Sequence, residues 1–294
     1  MNTLPQSFLP RLLSTVFLWG ALVVAYILRS EPGFALLICI PALGALWEYF
    51  ALLESGKIAH HRGIGMGAAL ALVVLNFYFL REGSLGLVQT LASESLFFAA
   101  LTIFLFLREY GRNNPGRATV EAIAFTLLGV VYIPWLFLFV AKLLYLTPRS
   151  PDGHTTGQYL VLFVIAVTKF TDVGAFLCGS LFGRTPFFPN ISPKKTAEGI
   201  IGALVVAVLV GLAVFRFFGT HLPAWSVGMI CGVSLLLGVA GIAGDLAESL
   251  LKRSVHSKDS GHALPGIGGC LDLIDSLLFT LPVFYFLLLF VLRP

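Results

Sequence analysis

The chain is 294 residues long, carries a formal net charge of +4, and is 57% hydrophobic and only 12% charged; its mean hydropathy is +0.92. An ordinary soluble domain is about 25% charged, so this composition excludes a soluble globular protein. The small positive excess gives no basis for a nucleic-acid partner.

A helix that crosses a bilayer needs about 20 apolar residues. In chain order such runs occupy 12–28, 33–53, 65–80, 87–107, 118–146, 158–181, 199–218, 224–250 and 270–292, nine predicted spans. Apolar residues run continuously instead of alternating with polar ones, which favours helices over a barrel. The fold class read from the sequence is therefore an all-α, polytopic integral membrane protein. The opening MNTLPQSFLPR has one arginine and leads into a run too long for a signal-peptide core, so it reads as the start of a retained helix. A cytoplasmic N-terminus puts twelve Lys and Arg residues on the inner side against six outside, as the positive-inside rule requires. That orientation turns the two richest loops, 182–198 and 251–269, to the cytoplasm. Residues 1–117 (spans 1–4) read as an N-terminal transmembrane part and 118–294 (spans 5–9) as a C-terminal catalytic part. Cys39, Cys178, Cys231 and Cys270 are scattered, with neither metal-ligand nor disulfide spacing.

Ionisable groups inside membrane helices are functional hypotheses by default. In VTKFTDVGAF, Lys169 and Asp172 stand three apart on one helical face; taken alone, they read as a structural ion pair. In GDLAESLLKR, Asp245, Glu248, Ser249 and Lys252 fall at i, i+3, i+4 and i+7, a narrow polar stripe at the end of an apolar run. Such a stripe suits a wet cavity or an amphipathic surface helix. In PGIGGCLDLIDS, Asp272 and Asp275 lie one turn apart. Adjacent carboxylates repel unless a cation lies between them, and magnesium accepts one or two carboxylates while leaving room for phosphate; N-terminal capping is the competing account of Asp272. Opposite charge comes from Arg184, Lys194 and Lys195, with Ser192 and Thr196 at the start of the next helix, and from Lys252, Arg253, His256 and Lys258. Basic clusters and acids at one membrane face suit a nucleotide triphosphate with its metal.

From Ser249 the chain reads S-x-x-K-R-x4-K-D-x-G-x2-L-P-x-x-G-G-x2-D-x2-D. This resembles the signature of the bacterial phosphatidate cytidylyltransferase family, also called CDP-diacylglycerol synthase. TDVGAF, GSLFGR and ISPKKTAEG also resemble that family, so the likeness covers residues 169–278; in the first half it extends to details such as WEYF at 47–50. Ile267 and Leu273 stand where the family usually has His and Arg, and Cys270 replaces an aliphatic residue. The resemblance implies transfer of CMP from CTP to phosphatidate, with pyrophosphate released. It implies a magnesium ion, with a second monovalent or divalent cation, held by Asp245, Asp272 and Asp275. Catalytic roles are implied for Asp172, Lys194, Lys195, Asp245, Lys252, Arg253, Lys258 and Asp259, and substrate-binding roles for Ser192, Thr196, Ser249, Gly268 and Gly269. It implies a bacterial inner-membrane enzyme with its site on the cytoplasmic side, CTP and phosphatidate as partners, and a homodimer by analogy. Glu48, at the inner end of the second span, reads as a headgroup-level residue. Other CTP-using lipid enzymes, an archaeal-type lipid cytidylyltransferase or a polyprenol kinase, share much of this pattern. A transporter also places charge on membrane helices, but gathering the charges at one face weighs against it.

Overall fold

A computed structural model of the chain describes residues 20, 31–80, 84–111, 116–146, 157–222, 225–257, 261 and 268–290. These residues form nine α-helices: α1 (Glu31–Ser55), α2 (Arg62–Leu80), α3 (Ser84–Glu109), α4 (Arg117–Val130), α5 (Phe139–Leu146), α6 (Gln158–Phe182), α7 (Ala197–Phe218), α8 (Val227–Ser254) and α9 (Cys270–Phe290). Strands β1 (Pro186–Phe188) and β2 (Ser192–Thr196) pair antiparallel between α6 and α7. Between α4 and α5 the chain makes a π-helical turn, Val131–Trp135, around Pro134. Proline lacks the N–H that would continue the ladder, so the helix widens there.

Among the described residues, eight helical segments are long and apolar enough to cross a membrane, and they coincide with the predicted spans from 33–53 onward. The predicted span at 12–28 lies outside the described residues. Helices satisfy their own backbone groups, as lipid demands. The protein is an integral membrane protein.

Two compact units emerge from the packing: Met1–Ala141 with Ser254–Ile274, and Lys142–Arg253 with Asp275–Pro294. This partition follows packing, whereas the division at residue 117 follows motif content. In the first unit Tyr49 and Phe50 of α1 are fully buried. The Tyr49 hydroxyl donates to the Phe125 carbonyl on α4 at 3.0 Å, and Phe50 lies against Gly65 of α2. In the second unit Phe163 of α6 stacks on Phe284 of α9 with centroids 5.6 Å apart, and both rings are buried. Small residues let backbones approach closely: a Cβ on Gly174 of α6 would lie 2.8 Å from Val206 of α7. On α8, a Cβ on Gly244 would lie 2.6 Å from the Asp275 carbonyl of α9.

The structure corrects one boundary that bears on the site. Helix α8 runs on to Ser254, so Lys252 and Arg253 sit in its last turn and not in a loop. Cations there favour the helix dipole.

Candidate active site

Helix α8 displays Asp245, Glu248 and Lys252 along one face, as their spacing requires. Gly244 brings that face against α9 at Asp275. Oxygens of Asp245, Glu248 and Asp275 then lie within 4.8 Å of one another. Glu248 is 1% exposed and Asp275 6%. Carboxylates gathered and desolvated in this way are costly unless cations or donors compensate. Lysines do so at the edges of the group: Lys195 Nζ lies 2.7 Å from Asp245 Oδ2, and Lys252 Nζ donates to Glu248 Oε2 at 2.9 Å. Asp275 accepts from the Ser276 amide at 2.5 Å, and its Oδ1 lies 3.2 Å from the Ser276 hydroxyl.

Asp172 of α6 joins through that hydroxyl, 3.0 Å from Asp172 Oδ2. Lys169 Nζ donates to Ser276 Oγ at 3.0 Å and lies 3.5 Å from Asp172. The predicted Lys169–Asp172 pair is therefore real, and Ser276 links it to Asp275. A hydroxyl can donate to one carboxylate at a time while accepting from the ammonium, so Asp172 and Asp275 share a single Ser276 proton.

Lys195 reaches the acids from β2. Thr196 caps α7, its Oγ1 accepting from the Gly199 amide at 3.2 Å. Lys194 is exposed and Ser192 half-buried on the same strand. Ser249 is half-buried on α8, and Arg253 is exposed at its end.

The start of α9 belongs to the first unit. Gly269 N donates to Asp272 Oδ2 at 2.8 Å, so Asp272 reaches back to the N-cap residue. Gly268 has φ +124°, a conformation that favours glycine, and a Cβ there would lie 2.7 Å from Asp272 Oδ2. Glu48 of α1 supplies the rest of the cap, accepting from Cys270 N at 2.9 Å and Leu271 N at 2.8 Å. Glu48 is 6% exposed. It is a buried helix cap, not a headgroup-level side chain, because the unsatisfied N–H groups of α9 attract it inward.

These acids and lysines lie in segments that known proteins share. The sequence profile of the cytidylyltransferase family matches residues 10–291. The chain belongs to the cytidylyltransferase family. Phosphatidate cytidylyltransferase of Staphylococcus aureus (strain COL) is 33% identical over 271 residues, covering 92% of this chain and 95% of that protein. The phosphatidate cytidylyltransferases of Staphylococcus haemolyticus and Staphylococcus saprophyticus are each 32% identical over 225 residues, covering 76% of this chain and 79% of theirs.

For a cytidylyltransferase of this sequence, the second unit brings together Asp172, Lys195, Asp245, Lys252 and Asp275, all singled out by motif. Lys258, Asp259 and the departure at Ile267 lie outside the described residues. Cys270, another departure, has its Sγ against Gly44, where an added Cβ would lie 2.7 Å away. Glu248 and Ser276 enter the cluster as residues to which the motif resemblance gave no role. The helical stripe already carried Glu248; a serine after an aspartate gives no signal by itself.

Proposed function

We propose that this protein transfers CMP from CTP to phosphatidate, giving CDP-diacylglycerol and pyrophosphate. One observation carries the reading: in a chain of the cytidylyltransferase family, oxygens of Asp245, Glu248 and Asp275 lie within 4.8 Å of one another, with Lys195 and Lys252 on two of those acids. Three clustered carboxylates suit a hard divalent cation, which takes oxygen ligands and leaves positions for phosphate. Asp245, Glu248 and Asp275 would hold magnesium, and Asp272 is a further candidate ligand, as for a second cation. A bound divalent ion neutralises charge on the phosphates at the centre of the reaction.

A phosphatidate phosphate oxygen attacks the α-phosphorus of CTP, the bond to the bridging oxygen of the β-phosphate breaks, and pyrophosphate departs with that electron pair. No protein nucleophile takes part. The chain's contribution is to bring two anions together in line and to balance their charge. Lys194, Lys195, Lys252, Arg253 and Lys258 supply positive charge to the triphosphate, with Lys195 and Lys252 exchanging a carboxylate for a phosphate oxygen. Lys169, Asp172 and Ser276 hold Asp275 in orientation. Ser192, Thr196 and Ser249 offer hydroxyl donors to the substrates; the roles proposed for Gly268, Gly269 and Asp259 rest on the family resemblance alone.

Phosphatidate keeps its tails in the bilayer while CTP is soluble, so the reaction belongs at a membrane surface. We assign it to the cytoplasmic face of a bacterial inner membrane, consistent with the positive-inside bias, and expect a homodimer on family analogy.

The test is purified protein in detergent with labelled CTP, phosphatidate and magnesium, followed by lipid mass analysis. CDP-diacylglycerol and pyrophosphate are the expected products. Release of CDP with a phosphorylated lipid would make it a kinase, and flux into proteoliposomes without CTP dependence would make it a transporter.

A further inference from the structure

We propose that Glu198 is a positioning residue for Lys195, acting by locking the root of the β1–β2 hairpin. The inference rests on the reading of Lys195 as a ligand of the CTP phosphates.

Lysine presents a compact charge on a flexible four-carbon stem, so its aim depends on where its backbone is held. Lys195 stands on β2, one residue before the cap of α7. Strand β2 has 5 residues and pairs with the 3 residues of β1, with an irregular register between Pro186 and Phe188. A two-stranded hairpin is marginal by itself in water. Something other than the ladder must fix Lys195 within 2.7 Å of Asp245.

Glu198 provides it. The residue sits in the first turn of α7, where the helix dipole favours an acid, yet its oxygens reach to the opposite limb of the hairpin. Oε2 accepts from Arg184 N at 3.1 Å and from Thr185 N at 3.3 Å, and Oε1 accepts from the Thr185 hydroxyl at 3.1 Å. Ala197 N donates to the Thr185 carbonyl at 2.9 Å, closing the same ring of contacts. A Cβ on Gly183 would lie 2.8 Å from Thr196 Oγ1, so the two limbs are also in steric contact at the root. The chain leaving α6 and the chain entering α7 are thereby tied together beside Lys195. A carboxylate that served α7 alone would not bond residues 13 and 14 positions upstream.

The experiment compares the parent protein with Glu198→Ala, Glu198→Gln, Lys195→Ala and the double variant Lys195→Ala/Glu198→Ala. It reads amide hydrogen exchange over residues 184–196 together with the KM for CTP, the KM for phosphatidate and kcat. Glu198→Ala speeds exchange at Arg184 and Thr185 and raises the KM for CTP roughly tenfold, with a much smaller change for phosphatidate. Glu198→Gln keeps one carbonyl acceptor and recovers part of both effects. In the Lys195→Ala background, Glu198→Ala adds less than about twofold, because the residue through which it acts is already gone. Equal losses in both backgrounds, a matching rise in both KM values, or unchanged exchange at Arg184 and Thr185 would overturn the proposal. If the parent protein transfers no CMP at all, the function reading fails, and the exchange comparison alone judges the clasp: unchanged exchange rejects it.

Discussion

Glu198 and Glu48 each capture two backbone N–H groups, but in different surroundings and over different separations. Glu198 bonds Arg184 and Thr185, 14 and 13 residues away, through exposed hydrogen bonds within one motif-rich stretch. Glu48 bonds Cys270 and Leu271, 222 and 223 residues away, and is 6% exposed. The hairpin is thus secured by its own segment, whereas the start of α9 is secured by a helix from the half of the chain that carries few motifs. Charge-assisted bonds count for more when the acceptor is desolvated, and their loss leaves buried donors without a partner. Loss of Glu48 should therefore be felt in stability, and loss of Glu198 in substrate handling.

The largest expected effect comes from the acids. Asp275→Asn lowers CMP transfer by about 100- to 1000-fold while the protein remains folded, as read by turnover and thermal unfolding in detergent; turnover at the parent level would remove Asp275 from the reaction. Asp272→Asn sharpens the contrast at α9, because asparagine keeps an oxygen for Gly269 N and loses only the charge. A fall in turnover with unchanged stability supports cation binding at Asp272. Parent-level turnover reduces the residue to a cap.

Glu48→Ala should cost about 3 kcal/mol of stability, the lower end for losing two hydrogen bonds to a carboxylate, with faster amide exchange at Cys270 and Leu271. An unfolding midpoint equal to the parent's would erase the distinction between the two glutamates. Gly244→Ala forces a methyl toward the Asp275 carbonyl, 2.6 Å from the ideal Cβ. Overpacking of this kind costs about 1–3 kcal/mol, and here it should also lower turnover because the displaced backbone carries Asp275. Thr196→Ala removes the α7 cap and should cost about 1 kcal/mol in thermal unfolding, the smallest effect of the series.

The eight described spans were legible because unbroken apolar runs of membrane length have few other readings. The stripe Asp245, Glu248, Lys252 was legible because helical periodicity needs only local sequence. The hairpin was not, since three and five residues rich in proline and lysine carry no alternating pattern. That α8 would reach Ser254 was hidden because the charged residues at its end look the same in a loop. Asp275 meeting Asp245 and Glu248 depends on α8 packing against α9 at Gly244, and Glu48 meeting Cys270 depends on a contact across most of the chain. Neither pairing leaves a trace in spacing. The Glu198 clasp sits within ISPKKTAEG, but the sequence does not say where its oxygens point.

The most direct test of the account is manganese binding, followed by electron paramagnetic resonance in purified protein without substrate, for the parent and for Asp245→Asn, Glu248→Gln and Asp275→Asn. The account predicts a bound-ion signal in the parent whose affinity falls at least about tenfold in each variant. Parent-like affinity in all of them would contradict it.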